Sequence, residues 1–180
     1  MYEELIKSEI VFSGKLIKVR LDDVKLSNGR IVKREIVVHR GAVAIVGLYE
    51  DKIILIKQYR HAAGKFMWEI PAGTLEEGED PLECAKREFL EETGYIASEF
   101  KKISQFYVAV GYCTEVIHLF IANNLKKAIS SPEEDENIEV HMFPINEAIN
   151  MIKNGQIEDA KTIIGILLLK NMMENDNEWK

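Results

Sequence analysis

The residues of this chain best suited to chemistry are three glutamates in one short stretch. Glu88, Glu91 and Glu92 are spaced three and four residues apart, so on a helix they share one face. One explanation is an ordinary solvated acidic face, in which Arg87 neutralises Glu91 at the same spacing. The other is a site for a hard divalent cation, because clustered carboxylate oxygens suit Mg²⁺ or Mn²⁺. The spacing alone leaves both explanations open.

The residues around the glutamates predict the helix that would position them. Asp80 is a suitable N-cap, Pro81 fits the first helical position, and Gly94 can end the helix in a left-handed conformation. Between these signals, apolar residues recur at three- and four-residue spacing and form one face to bury. We therefore expect a helix over residues 81–93.

The rest of the chain predicts several strands and two more helices. The Ser27-Asn28-Gly29 turn indicates an antiparallel hairpin between the first two strands. Apolar runs predict strands at residues 17–24, 31–38, 42–49, 53–59, 103–108, 116–122 and 138–143. Further helices are expected at residues 145–153 and 158–173. Strands flanked by helices, without strict βαβ alternation, predict an α+β fold.

A longer pattern favours the cation site. From Gly73 the chain reads GTLEEGEDPLECAKREFLEETGY, which matches without a gap or substitution the box of the Nudix hydrolases. Its fixed and apolar positions are filled by Gly73, Glu79, Arg87, Glu88, Phe89, Glu91, Glu92, Gly94 and Tyr95. The chain therefore resembles the Nudix hydrolases. That resemblance implies an α/β/α sandwich with a mixed β-sheet, and hydrolysis of a nucleoside diphosphate linked to another moiety.

The resemblance also implies roles for individual residues of the box. Glu88 and Glu92 would be the principal ligands of two or three Mg²⁺ (or Mn²⁺) ions, with Glu91 assisting and the backbone carbonyl of Ala72 as a further ligand. Arg87 would orient the glutamates through charge-assisted hydrogen bonds. Two more positions are expected to be structural: Glu79 ties the loop to the helix, and Gly73 supplies backbone geometry.

Outside the box, the chain is similar to the ADP-ribose pyrophosphatase branch of the family. The similarity lies in residues 57–60 (KQYR), 68–73 (WEIPAG), 34–43 and 159–162 (DAKT). It implies a homodimer in which an N-terminal β segment, residues 1–40, pairs with a second subunit and contributes substrate contacts, while residues 41–180 form the Nudix hydrolase domain.

The same similarity implies substrate-binding residues, each with a plainer alternative. Arg60 would bind a substrate phosphate or ribose, and Arg34 is a candidate for the same role. For both, the alternative is ordinary surface or strand-edge charge. Glu69 would hold substrate or a metal-bound water, with a simple cross-strand partner as its alternative.

An acidic run at residues 133–136 (EEDE) precedes the last predicted strand. Most such runs are solvated loops. In ADP-ribose pyrophosphatases, however, an acidic loop at this place supplies the catalytic base. By alignment, Glu134 would be the base and Glu136 an additional metal ligand, or the two roles would be reversed.

One departure from the branch bears on the substrate. Val110 occupies the position of a proline that usually marks ADP-ribose pyrophosphatases, while Gly111 and Glu115 are retained. Cleavage of ADP-ribose to AMP and ribose 5-phosphate is the function expected. Hydrolysis of a nucleotide sugar such as GDP-mannose is the alternative, and a non-catalytic ADP-ribose sensor is a distant one.

Composition sets the remaining limits. The chain has 180 residues, enough for one domain with a buried core, or for one domain with a small appendage. Its net charge of −7 argues against a nucleic-acid-binding surface. An anionic phosphorylated ligand would need local arginine side chains or a bridging cation. The longest apolar run, residues 163–169, is too short to cross a membrane. Two cysteines without a disulfide or metal-ligand pattern, and an N-terminus without a signal-peptide core, predict a cytoplasmic protein.

Overall fold

The computed structural model describes residues 3–128 and 137–175. It divides into two compact units, residues 1–41 with 106–116 and residues 42–105 with 117–180. In chain order the elements are β1 (Glu4–Ser13), β2 (Lys18–Lys25), β3 (Ile31–Val38), β4 (Ala42–Tyr49), β5 (Lys52–Arg60), β6 (Lys65–Glu69), β7 (Ala72–Thr74), α1 (Pro81–Thr93), β8 (Tyr95–Tyr107), β9 (Val116–Lys127), β10 (Ile138–Pro144), α2 (Ile145–Lys153) and α3 (Ala160–Asn175).

The first unit is built on a three-stranded antiparallel sheet in the order β1-β2-β3. The predicted hairpin joins β2 to β3. In its turn Gly29 is left-handed, with φ of 83°, and donates its N–H to Leu26 O at 2.9 Å. The sequence pattern does not predict β1, because its apolar and charged residues do not alternate. Its pairing with β2, not its own pattern, makes it a strand.

The second unit contains a mixed seven-stranded sheet in the order β10-β5-β4-β9-β8, with β6 paired to β5 and β7 paired to β4. The central strand β4 runs parallel to β9 and antiparallel to β5 and β7. Residues 43–46 of β4 and 53–56 of β5 have no exposed surface. Their continuous apolar runs therefore indicate strands buried on both faces, as the sequence predicts.

Helices cover both faces of this sheet. Phe89 and Ala85 of α1 pack in one cluster with Val43 and Ile45 of β4. On the other face α3 approaches β4 closely: a Cβ added at Gly165 would lie 2.9 Å from Cγ2 of Val46. Successive side chains of a strand point to opposite faces, so β4 contributes to both layers. The α+β expectation, an α/β/α sandwich with a mixed sheet plus a small N-terminal antiparallel sheet, is confirmed.

The largest differences from the sequence-based expectation concern short or polar strands. The bounds of α1 and α2 are as predicted, whereas α3 begins later than expected, because Asp159 caps it. β6 and β7 are too short to show a pattern. β8 begins at Tyr95, before the predicted start at residue 103, because polar residues in its first half interrupt the apolar pattern. Within residues 3–128 and 137–175, no helix has the length and apolar character needed to span a membrane.

Candidate active site

The helix α1 is fixed at both ends by the residues that its sequence predicts. Asp80 Oδ1 accepts hydrogen bonds from the N–H groups of Leu82 at 2.9 Å and Glu83 at 3.3 Å. Gly94 is left-handed, with φ of 72°, and its N–H donates to Leu90 O at 2.9 Å. Burial of Phe89 in the core then sets the rotation of the helix. The directions of its glutamates follow from these constraints.

Two of the three glutamates lie against the backbone of the residues where β7 begins. Glu92 is 6% exposed, and its Oε2 accepts the N–H of Ala72 at 2.9 Å. The carboxylate of Glu88 lies directly over Gly73, since a Cβ added there would be only 1.9 Å from Glu88 Cδ. Only glycine leaves room for this approach. The structure thus brings Glu88, Glu92, Ala72 and Gly73 together.

Arg87 links the loop to the helix. Its Nη1 donates to Glu88 at 2.7 Å and to Glu91 at 3.1 Å, and its Nε and Nη2 each donate to Glu79 at 3.1 Å. This bidentate pair, with a further bond from the N–H of Glu76, lowers the pKa of Glu79 to about 2. Arg87 thus contacts Glu79 of the loop and Glu88 and Glu91 of the helix at the same time.

A divalent cation suits the donor chemistry of this cluster. Carboxylates of Glu88, Glu91 and Glu92 are hard oxygen ligands, and Gly73 keeps clear the space beside Glu88 that a side chain would fill. Among the residues that the structure describes, no three acidic, His or Cys side chains already converge as a metal-binding group. Instead Glu88 and Glu91 accept bonds from Arg87, and Glu92 accepts one from Ala72.

Glu69, at the end of β6, is the centre of a second charged cluster. It is 2% exposed, and it accepts bonds from Arg60 Nε at 2.6 Å, from Arg60 Nη2 at 2.8 Å and from Lys161 Nζ. Burial by itself would raise the pKa of Glu69, but the hydrogen bonds and charges of Arg60 and Lys161 outweigh it and lower the pKa. The same contact with Glu69 raises the pKa of Arg60, to which the charge of Glu92 also contributes.

The residues at the start of α3 form contacts that no sequence pattern predicts. Asp159 Oδ2 caps the helix by accepting the N–H of Thr162 at 3.0 Å, and lies 3.0 Å from Lys161 Nζ. Thr162 is fully buried, and its Oγ1 accepts the N–H of Ile70 at 2.8 Å. The only sequence signal for these contacts is the DAKT segment, which contributes to the resemblance but by itself indicates no partner.

The remaining predicted site residues lie elsewhere. Arg34 belongs to the first unit, where its guanidinium pairs with Glu3. Val110 is also in the first unit and is 81% exposed. It lines a cavity of about 440 Å³ whose other lining residues are Arg20, Ile36, Tyr107, Tyr112, Cys113 and Thr114. Glu134 and Glu136 lie outside the described residues.

The Glu79–Arg87 pair leads to a prediction about acid stability. Glu79→Gln should lower the free energy of unfolding at pH 7 by about 1–3 kcal/mol, since it weakens a charge-assisted pair. The depressed pKa means that this stabilisation is present above the unfolded value of 4.5 and disappears as pH falls toward about 2. Both proteins are unfolded with urea in EDTA from pH 7 to pH 3. The difference between their free energies of unfolding should become smaller as the pH falls. A constant difference would contradict this assignment.

Two family models and one solved structure match this chain. The model of the NUDIX domain matches residues 38–164, and that of the nucleoside diphosphate sugar hydrolase N-terminal domain matches residues 3–37. A crystal structure of an ADP compounds hydrolase has the same fold, with a TM-score of 0.86 and 22% sequence identity over 98% of this chain and 97% of that one.

Three relatives in sequence carry three different names. A methanol dehydrogenase activator of Bacillus methanolicus and an ADP-ribose pyrophosphatase of Bacillus subtilis are each 42% identical over 93% of this chain and 92% of their own. A GDP-mannose pyrophosphatase of Escherichia coli K12 is 37% identical over 79% of this chain and 81% of its own. The family match spans most of the chain and includes both charged clusters. The chain belongs to the Nudix hydrolase family.

Proposed function

We propose that the protein hydrolyses ADP-ribose to AMP and ribose 5-phosphate with the aid of a divalent cation. The observation that carries this proposal is the approach of Glu88 and Glu92 to the backbone of Ala72 and Gly73. The charge of Glu92 also raises the pKa of Arg60, whose guanidinium is held by Glu69. Acidic ligands for a cation, together with a fixed cationic side chain, suit a diphosphate substrate. The name of the relative in Bacillus subtilis supports ADP-ribose as the substrate.

In this proposal different residues bind the metal ions, orient the metal ligands and bind the substrate. In the proposed reaction water attacks one phosphorus, the P–O–P bond breaks, and each product keeps one phosphate. Glu88 and Glu92, assisted by Glu91 and the Ala72 carbonyl, would hold two or three Mg²⁺ ions. Mg²⁺ would neutralise phosphate charge and acidify the attacking water. Arg87 orients Glu88 and Glu91, while Arg60, and Arg34 of the first unit, bind the substrate.

Product analysis on a panel of substrates tests the proposal. Purified protein with Mg²⁺ is incubated with ADP-ribose, GDP-mannose, ADP-glucose, NADH, FAD and diadenosine polyphosphates. AMP and ribose 5-phosphate, formed fastest from ADP-ribose, are the expected result. Binding of ADP-ribose without cleavage of any member would instead favour a sensor and contradict the proposal.

Nucleotide sugars are the second candidate substrate class, and specific observations favour them. Residues 3–37 match a domain of nucleoside diphosphate sugar hydrolases, and a GDP-mannose pyrophosphatase is among the relatives. Val110, where the ADP-ribose branch usually has proline, lines the cavity of the first unit. The chemistry would be unchanged, so a higher kcat/KM for GDP-mannose than for ADP-ribose in the panel would select this candidate.

The acidic segment at residues 133–136 remains a sequence-based prediction. If Glu134 is the catalytic base, Glu134→Gln should lower kcat by about 10²–10⁴-fold with little change in KM, because general-base catalysis contributes in that range. Glu136→Gln, as a possible metal ligand, should raise the Mg²⁺ concentration needed for half-maximal rate. Steady-state kinetics over a Mg²⁺ series separates the two, and the opposite pattern would show that the roles are reversed.

The protein is also proposed to act as a cytoplasmic homodimer, with the segment 1–40 contributing dimer contacts. The strand β1 supports this, because Leu5, Ile10 and Phe12 are each more than half exposed. Light scattering of the purified protein should therefore give about twice the chain mass of 20.6 kDa. A monomer at micromolar concentration would exclude a site completed by a second subunit.

A further inference from the structure

Lys161 belongs to the second charged cluster, and the proposed reaction gives it no part. It is the second residue of α3, and its side chain is 14% exposed. Its Nζ contacts the carboxylates of both Glu69 and Asp159. A lysine held by two carboxylates is poorly placed to bind a phosphate itself. Its effect on the substrate must pass through one of these partners.

Glu69 is the partner that leads toward the substrate. Its two oxygens accept parallel bonds from Nε and Nη2 of Arg60, and this fork fixes the plane of the guanidinium. Arg60 is 40% exposed, and among the described residues its Nη1 has no hydrogen-bond partner. One edge of the guanidinium is thus anchored, while Nη1 remains available to an anion.

The anchor itself depends on Lys161. The Glu69 carboxylate is almost fully buried, and a buried carboxylate stays in place only when it is well paired. Oε2 accepts bonds from both Arg60 and Lys161, which places Glu69 between two cations. Asp159, held by the N-terminal turn of α3, restrains Lys161 in turn. The charges alternate along the row Arg60, Glu69, Lys161 and Asp159.

We propose that Lys161 is a positioning residue, which holds Arg60 in its substrate-binding orientation by fixing the Glu69 carboxylate. The proposal rests on the proposed function, in which Arg60 binds a nucleoside diphosphate. The first turn of α3 would therefore affect substrate affinity in addition to packing the helix on the sheet. A purely structural role for Lys161 would instead affect stability and leave Arg60 where it is.

Kinetics of Lys161→Met is the first test, with Lys65→Met as a matched control. Lys65 lies on the same strand as Glu69 and pairs with Glu158, just before α3, but both side chains are 49% exposed. Lys161→Met should raise KM for ADP-ribose by about tenfold or more with a smaller change in kcat, since a substrate-binding group is misplaced. Lys65→Met should stay within about twofold. Equal effects of the two variants would overturn the proposal.

A double-mutant cycle with Arg60→Met separates positioning from general destabilisation. If Lys161 acts through Arg60, Lys161→Met should change kcat/KM by less than about twofold once Arg60 has been replaced. Multiplicative effects of the two substitutions would overturn the proposal. Should Lys161→Met not fold, Lys161→Met combined with Glu69→Gln removes the unpaired carboxylate. A wild-type KM in that protein would equally contradict it.

A spectroscopic readout keeps this test independent of the proposed activity. The Nε–H signal of Arg60 in a ¹H–¹⁵N spectrum is identified by its loss in Arg60→Met. It should shift or broaden in Lys161→Met and stay in place in Lys65→Met. An unchanged signal in Lys161→Met would overturn the positioning role. Failure of the wild-type protein to bind or cleave any nucleoside diphosphate would refute the proposed function alone.

Discussion

Glu92→Gln is expected to lower kcat for the proposed diphosphate substrate by about a thousandfold, equivalent to about 4 kcal/mol of transition-state stabilisation. The substitution removes a ligand charge while changing little volume. The amide oxygen that it introduces can still accept the N–H of Ala72, the bond that Glu92 Oε2 makes at 2.9 Å. The free energy of unfolding should therefore change by no more than about 1 kcal/mol. Fixed-time product assays measure kcat, and urea unfolding measures the free energy of unfolding.

Glu83→Gln is the matched control for this experiment. Glu83 lies on the same helix, but its side chain is 63% exposed and pairs with Lys86 across the helix surface. The pair contributes only about 0.2–0.5 kcal/mol, so both rate and stability should remain near those of the unmodified protein. Turnover by Glu92→Gln within tenfold of the unmodified enzyme would refute the metal-binding role of Glu92.

Gly73→Ala is expected to lower kcat by about a hundredfold or more while leaving the fold intact. The added Cβ would lie 1.9 Å from Glu88 Cδ and must displace the Glu88 carboxylate. Because that carboxylate ends a flexible side chain, turning it aside costs little stability. A displacement of about 1 Å in a catalytic group, however, can cost about a hundredfold in rate. Steady-state kinetics should thus show a large loss in kcat, while the thermal unfolding midpoint changes little.

Gly78→Ala, in the loop between β7 and α1, should show the opposite pattern. Its Cβ would meet nothing within 4 Å, but its φ of 77° is strained for alanine. We expect a loss of about 1 kcal/mol in stability with nearly normal kcat. If Gly73→Ala retained full activity, the close packing of Glu88 on Gly73 would be irrelevant to catalysis.

Much of the candidate site is local in the sequence and could be predicted from it. The cap at Asp80, the end at Gly94 and the apolar stripe determine the helix, and the helix determines which glutamates share a face. Arg87 reaches Glu91 within one turn, so that contact is also local. The match to the box then predicts that Glu79 ties the loop to the helix, while the structure shows Arg87 as its partner. Short-range geometry is sufficient for the helix and for the Arg87–Glu91 contact.

Other parts of the site depend on chain segments far apart in the sequence. Neither β6 nor β7 has a pattern of its own, because each is short and is defined by its pairing with β5 or β4. The Arg60–Glu69 pair does not follow from the β5–β6 register, which places Arg60 opposite Lys65 and Glu69 opposite Ile56. Lys161 reaches Glu69 across 92 positions of sequence. No periodicity in a sequence encodes such a contact.

The sequence by itself determined the helix, its acidic face, the strands β4, β5, β9 and β10 of the central sheet and the resemblance to the family, since caps, periodicity and motif spacing act over a few residues. Only the tertiary structure decided that Glu88 lies on Gly73, that Glu92 holds Ala72, and that Lys161 and Thr162 hold Glu69 and Ile70. These contacts arise from packing α1 and α3 on opposite faces of one sheet, which places the ends of distant segments together. Because these polar groups are buried, each must form a hydrogen bond with a group that the fold places within reach.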